Sequence, residues 1–453
     1  QPTENFEVLA NYSWREQHNQ EDGHDRVIEN SEFELPSYLV KARYSAGDHS
    51  VTASYTNTET TERDKPYDSF GTTGGSFGNV DRDTTSETIA LKYNYNPLTN
   101  DLINLDVIYS YANQEIDQTC IVGSGPFGCF ATVDADHQYE TSKLTVKNSA
   151  FIEAGVLTHD IRAGLEYILK ERLDASSAPG GEDNRYAFFV VDNIEFGGGW
   201  SFTPALRFET SEVEGVLDDG SNASYDNDAL MGGASLRYEF DNGIALFGSY
   251  AYTESLPILD DLENETYMTQ PEIGETVEIG GSYDRIGVFG RDDSLSIKAN
   301  FYRTDLEDNT SYSGVDSVEL SGLELEGSYA RRDGTYVDVN ANIVDGEQTN
   351  TTGTKSDWRN LTADSMRVTL GKRFSPLADL STEFVAAADD EINDRPGYVT
   401  VNLRATITPQ EGVLEGTSFR FGIENALDMN YMPALATRTA AGRNIKFTVS
   451  KSF

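Results

Sequence analysis

The sequence predicts an all-β protein that spans a membrane as an antiparallel β-barrel, and three observations lead to this prediction. Apolar and polar residues alternate with a period of two along most of the chain. About twenty such segments of roughly ten residues follow one another, and ten residues is the length that a tilted strand needs to cross a bilayer. The connections between the segments are alternately short and long, as in outer-membrane barrels.

The alternation defines the strands. The segment LINLDVIYSYA at 102–112 places Ile, Leu, Val and Tyr mainly on one face and Asn, Asp and Ser on the other. The segments at 88–96, 398–408 and 444–453 repeat this pattern. A single-layer sheet between lipid and water requires one apolar and one polar face. A soluble propeller or solenoid is the alternative, but no repeat of about 40 to 50 residues is visible.

The connections define the two ends of the barrel. The short ones are rich in Gly, Asp, Asn and Pro, which favour tight turns. They lie at 46–49, 96–101, 154–159, 197–200, 240–243, 291–294, 331–334 and 375–379. The long polar loops between them lie at 64–83, 117–138, 175–185, 214–228, 256–272, 307–318 and 348–364. If the last strand ends in the periplasm, every short turn is periplasmic and every long loop is extracellular.

Composition excludes several classes of function. The 453 residues include 34 basic and 76 acidic side chains, a net charge of −42 that would repel nucleic acid. No apolar run approaches the roughly 18 residues of a spanning helix. The sequence has no HExxH or P-loop motif and no catalytic constellation with a defined spacing, so we do not expect an enzyme. The acidic loops lack the EF-hand spacing, and no metal site is predicted.

The two cysteines lie close together in the sequence. Cys120 and Cys129 bracket the Gly-rich segment CIVGSGPFGC, which predicts a local disulfide formed in an oxidising compartment, with two free thiols as the alternative. The first residues lack the features of a signal peptide. We therefore expect either that a signal was removed or that the chain starts partway through a longer protein.

The C-terminal segment FRFGIENALDMNYMPALATRTAAGRNIKFTVSKSF resembles the last hairpin of TonB-dependent outer-membrane receptors. The positions that carry the resemblance are Asn425, Leu427, Asp428, Tyr431, Gly442, Arg443 and Phe453. A second segment, at 250–283, is similar to the family's "PE…E.G" strand and the stretch before it. Short polar side chains such as Asn425 and Asp428 can form Asx turns where a strand enters a loop. Gly442 permits a bend at the start of the closing strand.

The resemblance implies an architecture and partners. Members of this family carry an N-terminal plug followed by a barrel of 22 strands. Because about twenty strands are visible, residues 1–453 would be the outer-membrane β-barrel domain, with the plug and the first two strands absent. The implied partners are the lipid bilayer of the bacterial outer membrane and, through the missing plug, the TonB energy-transducing complex. A plugless channel of twenty strands is the alternative.

The AAGRN segment looks most like haem and haemophore receptors. The resemblance therefore implies import of haem or a haem-carrying protein, with no permanently bound cofactor and with haem or a ferric chelate as the transported ligand. The loop at 256–272 lacks the histidine that such receptors use there, but Tyr267 could supply a phenolate and Met268 a thioether. His18, His24 and His137 are candidates on other external loops. A ferric-siderophore receptor is the alternative within the family; a passive porin-like channel or a surface adhesin is the alternative outside it.

Overall fold

The computed structural model describes residues 5–67, 78–125, 136–175 and 180–452, which form 23 β-strands. The first twelve are β1 (Phe6–Gln17), β2 (Gln20–Glu21), β3 (Val27–Ile28), β4 (Phe33–Ala46), β5 (His49–Pro66), β6 (Asn79–Tyr95), β7 (Leu105–Cys120), β8 (His137–Ala154), β9 (Leu157–Ala175), β10 (Gly181–Gly197), β11 (Trp200–Val216) and β12 (Asn222–Glu239). The others are β13 (Ile244–Ser255), β14 (Glu272–Ile286), β15 (Ser294–Glu307), β16 (Val315–Ala330), β17 (Thr335–Asn350), β18 (Lys355–Asp357), β19 (Ser365–Ser375), β20 (Ala378–Ala387), β21 (Tyr398–Ile407), β22 (Thr417–Glu424) and β23 (Asn444–Lys451).

The strands form one antiparallel meander. β1 pairs with β4, and each long strand from β4 to β23 then pairs with the next, giving a sheet of 21 strands that includes the short β18. β2 and β3 form a separate hairpin. The prediction of an all-β barrel with about twenty spanning strands is confirmed.

The described residues contain one short helix, α1 (Glu265–Met268), and two 3₁₀ turns, Leu259–Asp261 and Gly412–Leu414. None of the helices among these residues is long and apolar enough to cross a membrane.

The two faces of the sheet differ in chemistry, as the alternation predicts. In the ladder of β10 and β11, Phe188 lies opposite Phe208, and both side chains are exposed on the outer face. Two positions along, Tyr186 on the same face is 61% exposed. On the other face Asp183 and Glu209 are buried. Large exposed apolar side chains on one face are what contact with lipid requires, so the charged face lines the lumen.

The turns and loops segregate to opposite ends, which confirms the predicted alternation. At the short-turn end β4 and β5 are joined by Gly47 and Asp48 alone, and β10 and β11 by Gly198 and Gly199. At the long-loop end the predicted boundaries are partly wrong. The predicted loop at 214–228 is only the five residues 217–221, because β11 and β12 continue past the bilayer. Polar residues of the predicted loop instead join the β11–β12 ladder. Their backbone groups form hydrogen bonds there, because unpaired backbone groups are costly.

The meander has two open edges. β1 pairs only with β4, and β23 pairs only with β22, within the part of the chain that the structure describes. Every residue of β1 except Gln17 is exposed. A membrane sheet with an unpaired edge leaves backbone N–H and C=O groups in lipid, which spanning structures avoid by closing.

Candidate functional site

The connection between β13 and β14 at 256–271 folds inward over the lumenal wall. Its apolar residues Leu259, Leu262 and Met268 pack against Val213 of β11, and all four are buried. Val213 lies opposite Asp183 in the β10–β11 ladder, so it belongs to the lumenal face. Since β11 ends at Val216, this contact lies near the long-loop end. We call residues 256–271 the inner loop.

Three polar contacts fasten the inner loop to the wall. Arg172 of β9, which is 6% exposed, donates through Nη1 to Asp260 Oδ1 at 2.7 Å. The Tyr139 hydroxyl on β8 donates to the same oxygen at 3.3 Å. Arg185 of β10 donates through Nη2 to the carbonyl oxygen of Pro257 at 2.8 Å. Burial raises the pKa of the neighbouring Asp261 carboxyl, and the charge of Asp260 raises it further. The loop is therefore held by both apolar packing and charge.

A charged network lies on the wall beneath the loop. The Arg185 guanidinium is bound to both carboxylate oxygens of Asp183, at 2.9 and 2.8 Å, and lies 3.3 Å from Glu209 Oε1. Arg207 lies 2.5 Å from Glu209 Oε2 and 2.9 Å from Glu166 Oε2. Hydrogen-bonded networks of paired charges hold their side chains in one arrangement. The wall that the loop covers is thus preorganised and carries both signs of charge.

The inner loop contains two of the candidate ligands. Tyr267 lies in α1, is partly exposed, and its backbone N–H donates to the capping side chain of Asn264 at 3.3 Å. Met268 is fully buried in the apolar cluster with Val213. The suggestion that its thioether could bind haem is wrong for this structure, because the side chain has no accessible surface. The role of Tyr267 stays a prediction.

His137 lies beside the inner loop. It is the first residue of β8, and its ring stacks on Tyr139 with 6.2 Å between centroids. Its Nδ1 is buried without a hydrogen-bond partner among the described residues. Because the Tyr139 hydroxyl contacts Asp260, the structure brings His137 next to the anchor of the loop. Sequence reasoning did not identify Tyr139, Arg172 or Asp260 as parts of one cluster.

His18 and His24 lie elsewhere, around the β2–β3 hairpin. The side chain of His18 is 89% exposed, with Nε2 3.8 Å from Glu16 Oε1. His24 is exposed at the tip, where its backbone N–H donates to Asp22 Oδ1 at 2.8 Å. Burial alone would raise the pKa of Asp22, but the Arg26 side chain and two backbone N–H groups bind the carboxylate and lower its pKa below the usual value. The turn that presents His24 is therefore firmly held.

This hairpin rests on the C-terminal loop at 425–443. The backbone N–H of Gly442 donates to the carbonyl oxygen of Glu21 at 2.8 Å, and Arg438 Nη1 donates to that of Asn30 at 3.0 Å. Lys65 Nζ donates to the same Asn30 oxygen. A Cβ atom at Gly442 would lie 2.8 Å from the carbonyl oxygen of Asp22, so only glycine permits this approach.

The family-signature residues shape the C-terminal loop. Asn425 has a left-handed φ of 47°, and its Oδ1 accepts from the N–H of Met429 at 2.8 Å. Asp428 accepts from the backbone N–H of Arg443 at 2.7 Å and from its Nη2 at 2.8 Å. The rings of Tyr431 and Tyr398 lie 4.3 Å apart. The backbone N–H of Arg443 has the largest effect on the pKa of the Asp428 carboxyl, and the Arg443 side chain has a smaller one. Both hydrogen bonds lower that pKa. Phe453 lies outside the described residues.

Gly23 offers a test of the hairpin contact. A Cβ atom there would lie 2.5 Å from Asn430 N and 2.7 Å from the carbonyl oxygen of Asp428, both backbone atoms that cannot rotate away. We expect Gly23→Ala to destabilise the docked hairpin by about 1–3 kcal/mol, as overpacking does, and to speed amide hydrogen exchange in β2 and β3 by about tenfold or more. Gly327→Ala, where a Cβ meets nothing within 4 Å, is the control. Unchanged exchange in the Gly23 variant would contradict the contact.

Two further predictions concern cysteines and metals. Cys120 is buried at the end of β7 beside Val80. Cys129 lies outside the described residues, so the disulfide stays a prediction. Among the residues that the structure does describe, no group of three or more His, Cys, Asp or Glu side chains could hold a metal ion.

Comparisons with known proteins identify the family. The model of the TonB-dependent receptor-like β-barrel matches residues 24–426. "Heme/hemopexin utilization protein C" of Haemophilus influenzae strain 86-028NP is 25% identical over 210 residues, which are 41% of this chain and 29% of that protein. "TonB-dependent heme receptor A" of H. influenzae strain Rd is 21% identical over 469 aligned positions, covering 83% of this chain and 61% of the receptor. The chain thus matches less than two thirds of either relative's length.

A solved structure shows the same fold. The haemophore receptor HasR of Serratia marcescens, solved as a double mutant with its haemophore HasA and haem, superposes with a TM-score of 0.80. The match has 15% sequence identity and covers 99% of this chain and 77% of HasR. At that identity the likeness shows the fold alone. With the family match over most of the chain, this protein belongs to the TonB-dependent receptor β-barrel family, whose members are outer-membrane proteins.

Proposed function

We propose that this chain is the barrel of an active outer-membrane importer and that its substrate is haem or a haem-carrying protein. The two relatives described above are both named for haem. The observation that carries the proposal is the position of His137 on the wall at the extracellular mouth, beside the anchor of the inner loop. His137 is partly exposed, and an imidazole is a common axial ligand of haem iron.

Energy coupling is also a proposal. The open edges of β1 and β23 leave room for further strands, which supports a complete barrel of 22 strands. We propose that these strands, and a plug that closes the lumen, belong to a longer protein of which residues 1–453 are the barrel domain. The periplasmic TonB complex would act on that plug. The lumenal wall carries both signs of charge, as in the Glu166–Arg207 ion pair, which suits contact with the polar surface of a plug.

A haem titration tests the substrate. We expect the protein in detergent micelles to shift the Soret band of added haem, and His137→Ala to weaken binding by at least about tenfold, the order of effect for a lost contact to a metal ligand. His18→Ala removes a histidine that is 89% exposed, and it should bind haem as the unchanged protein does. His24→Ala and Tyr267→Phe test the two other candidates.

The outcomes separate the alternatives. Full haem affinity in the His137 variant, with a loss in the His24 or Tyr267 variant, would move the ligand to that residue. No Soret shift in any form, with tight binding of a ferric siderophore, would favour a siderophore receptor of the same family. The net charge of −42 disfavours a strongly anionic ferric chelate.

One observation favours a passive channel. The inner loop folds into the mouth and carries four carboxylates, Asp260, Asp261, Glu263 and Glu265, much as a charged constriction would. Its contacts with Val213 place it near the extracellular end of the wall rather than halfway across. Large cation-selective conductance of the full-length protein in planar bilayers would support the channel; a closed pore that binds haem would support the importer.

A further inference from the structure

A cavity of about 760 Å³ lies at the periplasmic end of the barrel, between the turns at 287–293 and 331–334. Its volume falls within the range of small-molecule sites, about 300–1,000 Å³. The residues that matter here are three arginines, two aromatic residues and one aspartate: Arg291, Arg331, Arg332, Phe289, Tyr329 and Asp293. The cavity is far from the inner loop, which lies at the other end of the strands.

The cavity opens toward lipid. Tyr329 pairs with Leu295 across β15 and β16, so the two side chains share a face. Ile297, two residues along β15, is on the same face and is 45% exposed, as lipid-facing residues are here. Phe289 is 76% exposed and packs edge-on against Tyr329, with 5.7 Å between centroids. Aromatic residues at this depth mark the membrane–water interface.

Three arginines and two aspartates, Asp293 and Asp333, line the cavity, so the charge of its lining is 3 − 2 = +1, and both carboxylates already accept hydrogen bonds from the protein. Asp293 is buried and accepts from the N–H groups of Val288 and Phe289, at 2.8 and 3.0 Å, and from the Tyr329 hydroxyl at 3.0 Å. Asp333 accepts from the N–H of Thr335 at 3.0 Å and lies 3.2 Å from Lys372 Nζ. Hydrogen bonds from Thr335 hold the pKa of Asp333 at about 2.

Two of the three cavity arginines take part in ion pairs, and the third does not, among the described residues. Arg332 lies 3.0 Å from Asp292, and Arg331 is 3.9 Å from Asp333, at the limit of an ion pair. Arg291 makes no ion pair with any residue that the structure describes, and the same holds for Arg285, which lies opposite Leu295 on the lipid-facing side. In a chain with 76 acidic and 34 basic residues, the lack of an ion pair for Arg291 and Arg285 among the described residues points to an anion from outside the protein as their partner.

We propose that this cavity binds the head group of an anionic phospholipid from the periplasmic leaflet. The planar guanidinium groups of Arg291 and Arg331 match the oxygens of a phosphodiester. Phe289 and Tyr329 lie at the depth of the glycerol backbone, and the acyl chains run along the exposed apolar face that includes Ile297. Anionic lipids attract basic residues near the membrane surface in the same way.

Native mass spectrometry tests the proposal. The full-length protein, with every strand and any plug that it carries, is reconstituted with phosphatidylglycerol or phosphatidylcholine, released into the gas phase, and its bound lipids are counted. We expect retained phosphatidylglycerol and little phosphatidylcholine. The variant Arg291→Gln/Arg331→Gln should lower phosphatidylglycerol affinity roughly fivefold for each arginine. The control Arg162→Gln/Arg237→Gln removes two arginines near the periplasmic turns whose charges are already paired with Asp160 and Glu239.

Each outcome either supports the lipid site or overturns it. A loss confined to the Arg291/Arg331 variant supports the lipid site. Equal losses in both variants, or none in either, would overturn it. Displacement of phosphatidylglycerol by equimolar glycerol 3-phosphate would also overturn it, because the site would then bind a free phosphate and not a membrane lipid. The heat-modifiable electrophoretic mobility of each variant shows that the barrel is folded.

Discussion

Replacing Arg185 with methionine is expected to lower the free energy of unfolding by about 3–5 kcal/mol, the cost of removing one partner of a buried ion pair. Asp183 is 1% exposed, and Arg185 supplies two of the hydrogen bonds to its carboxylate. Without the guanidinium, the Ser211 hydroxyl at 2.9 Å is the one donor to that carboxylate that remains among the described residues. The charge would stay buried under the inner loop without compensation, because the loop excludes water from this part of the wall.

The double variant Asp183→Asn/Arg185→Met separates the lost charge pair from lost packing. It removes both charges, and we expect it to regain most of the lost stability, since a buried pair replaced as a whole is often close to neutral. Urea unfolding in lipid vesicles, followed by the fluorescence of the three tryptophans, measures the free energies. Equal stability of the single variant and the unchanged protein would mean that water reaches Asp183 and that the loop does not cover it.

The barrel could be predicted from sequence because lipid imposes a simple rule. A residue that faces lipid must be apolar, and its neighbour in the strand faces the lumen, so the period of two is written into segments such as 102–112. Turn residues such as Gly47 and Asp48 show where one strand ends and the next begins. Outside the bilayer the rule ends. β11 and β12 continue as polar strands there, and their composition is that of a loop.

The site was only partly predictable, because it depends on contacts between distant residues. Arg172 and Asp260 are 88 positions apart, and Arg438 and Asn30 are 408 apart. One sequence does not show such pairs. The apolar residues of the inner loop lie among carboxylates without a regular period, so the sequence did not predict that Met268 belongs to a small core.

Truncating Met268 in that core to alanine is expected to have the second large effect on stability. The side chain is fully buried among Val213, Leu259 and Leu262, and truncating a buried methionine costs about 2–5 kcal/mol. Because the cluster joins the loop to the wall, the cost should fall on loop closure rather than on the barrel. Hydrogen exchange within 256–271 should therefore accelerate while the strands keep their protection. Met366→Ala, at a site 47% exposed, is the control.

The haem affinity of the Met268→Ala variant then tests what the closed loop is for. If the loop positions substrate against His137, opening it should weaken binding, since Asp260 would no longer be held by Tyr139 and Arg172. If the loop instead occludes the site, opening it should strengthen binding, because the substrate no longer has to displace it. An open loop with unchanged haem affinity would place the site outside this region. Increased conductance without haem binding would favour the channel.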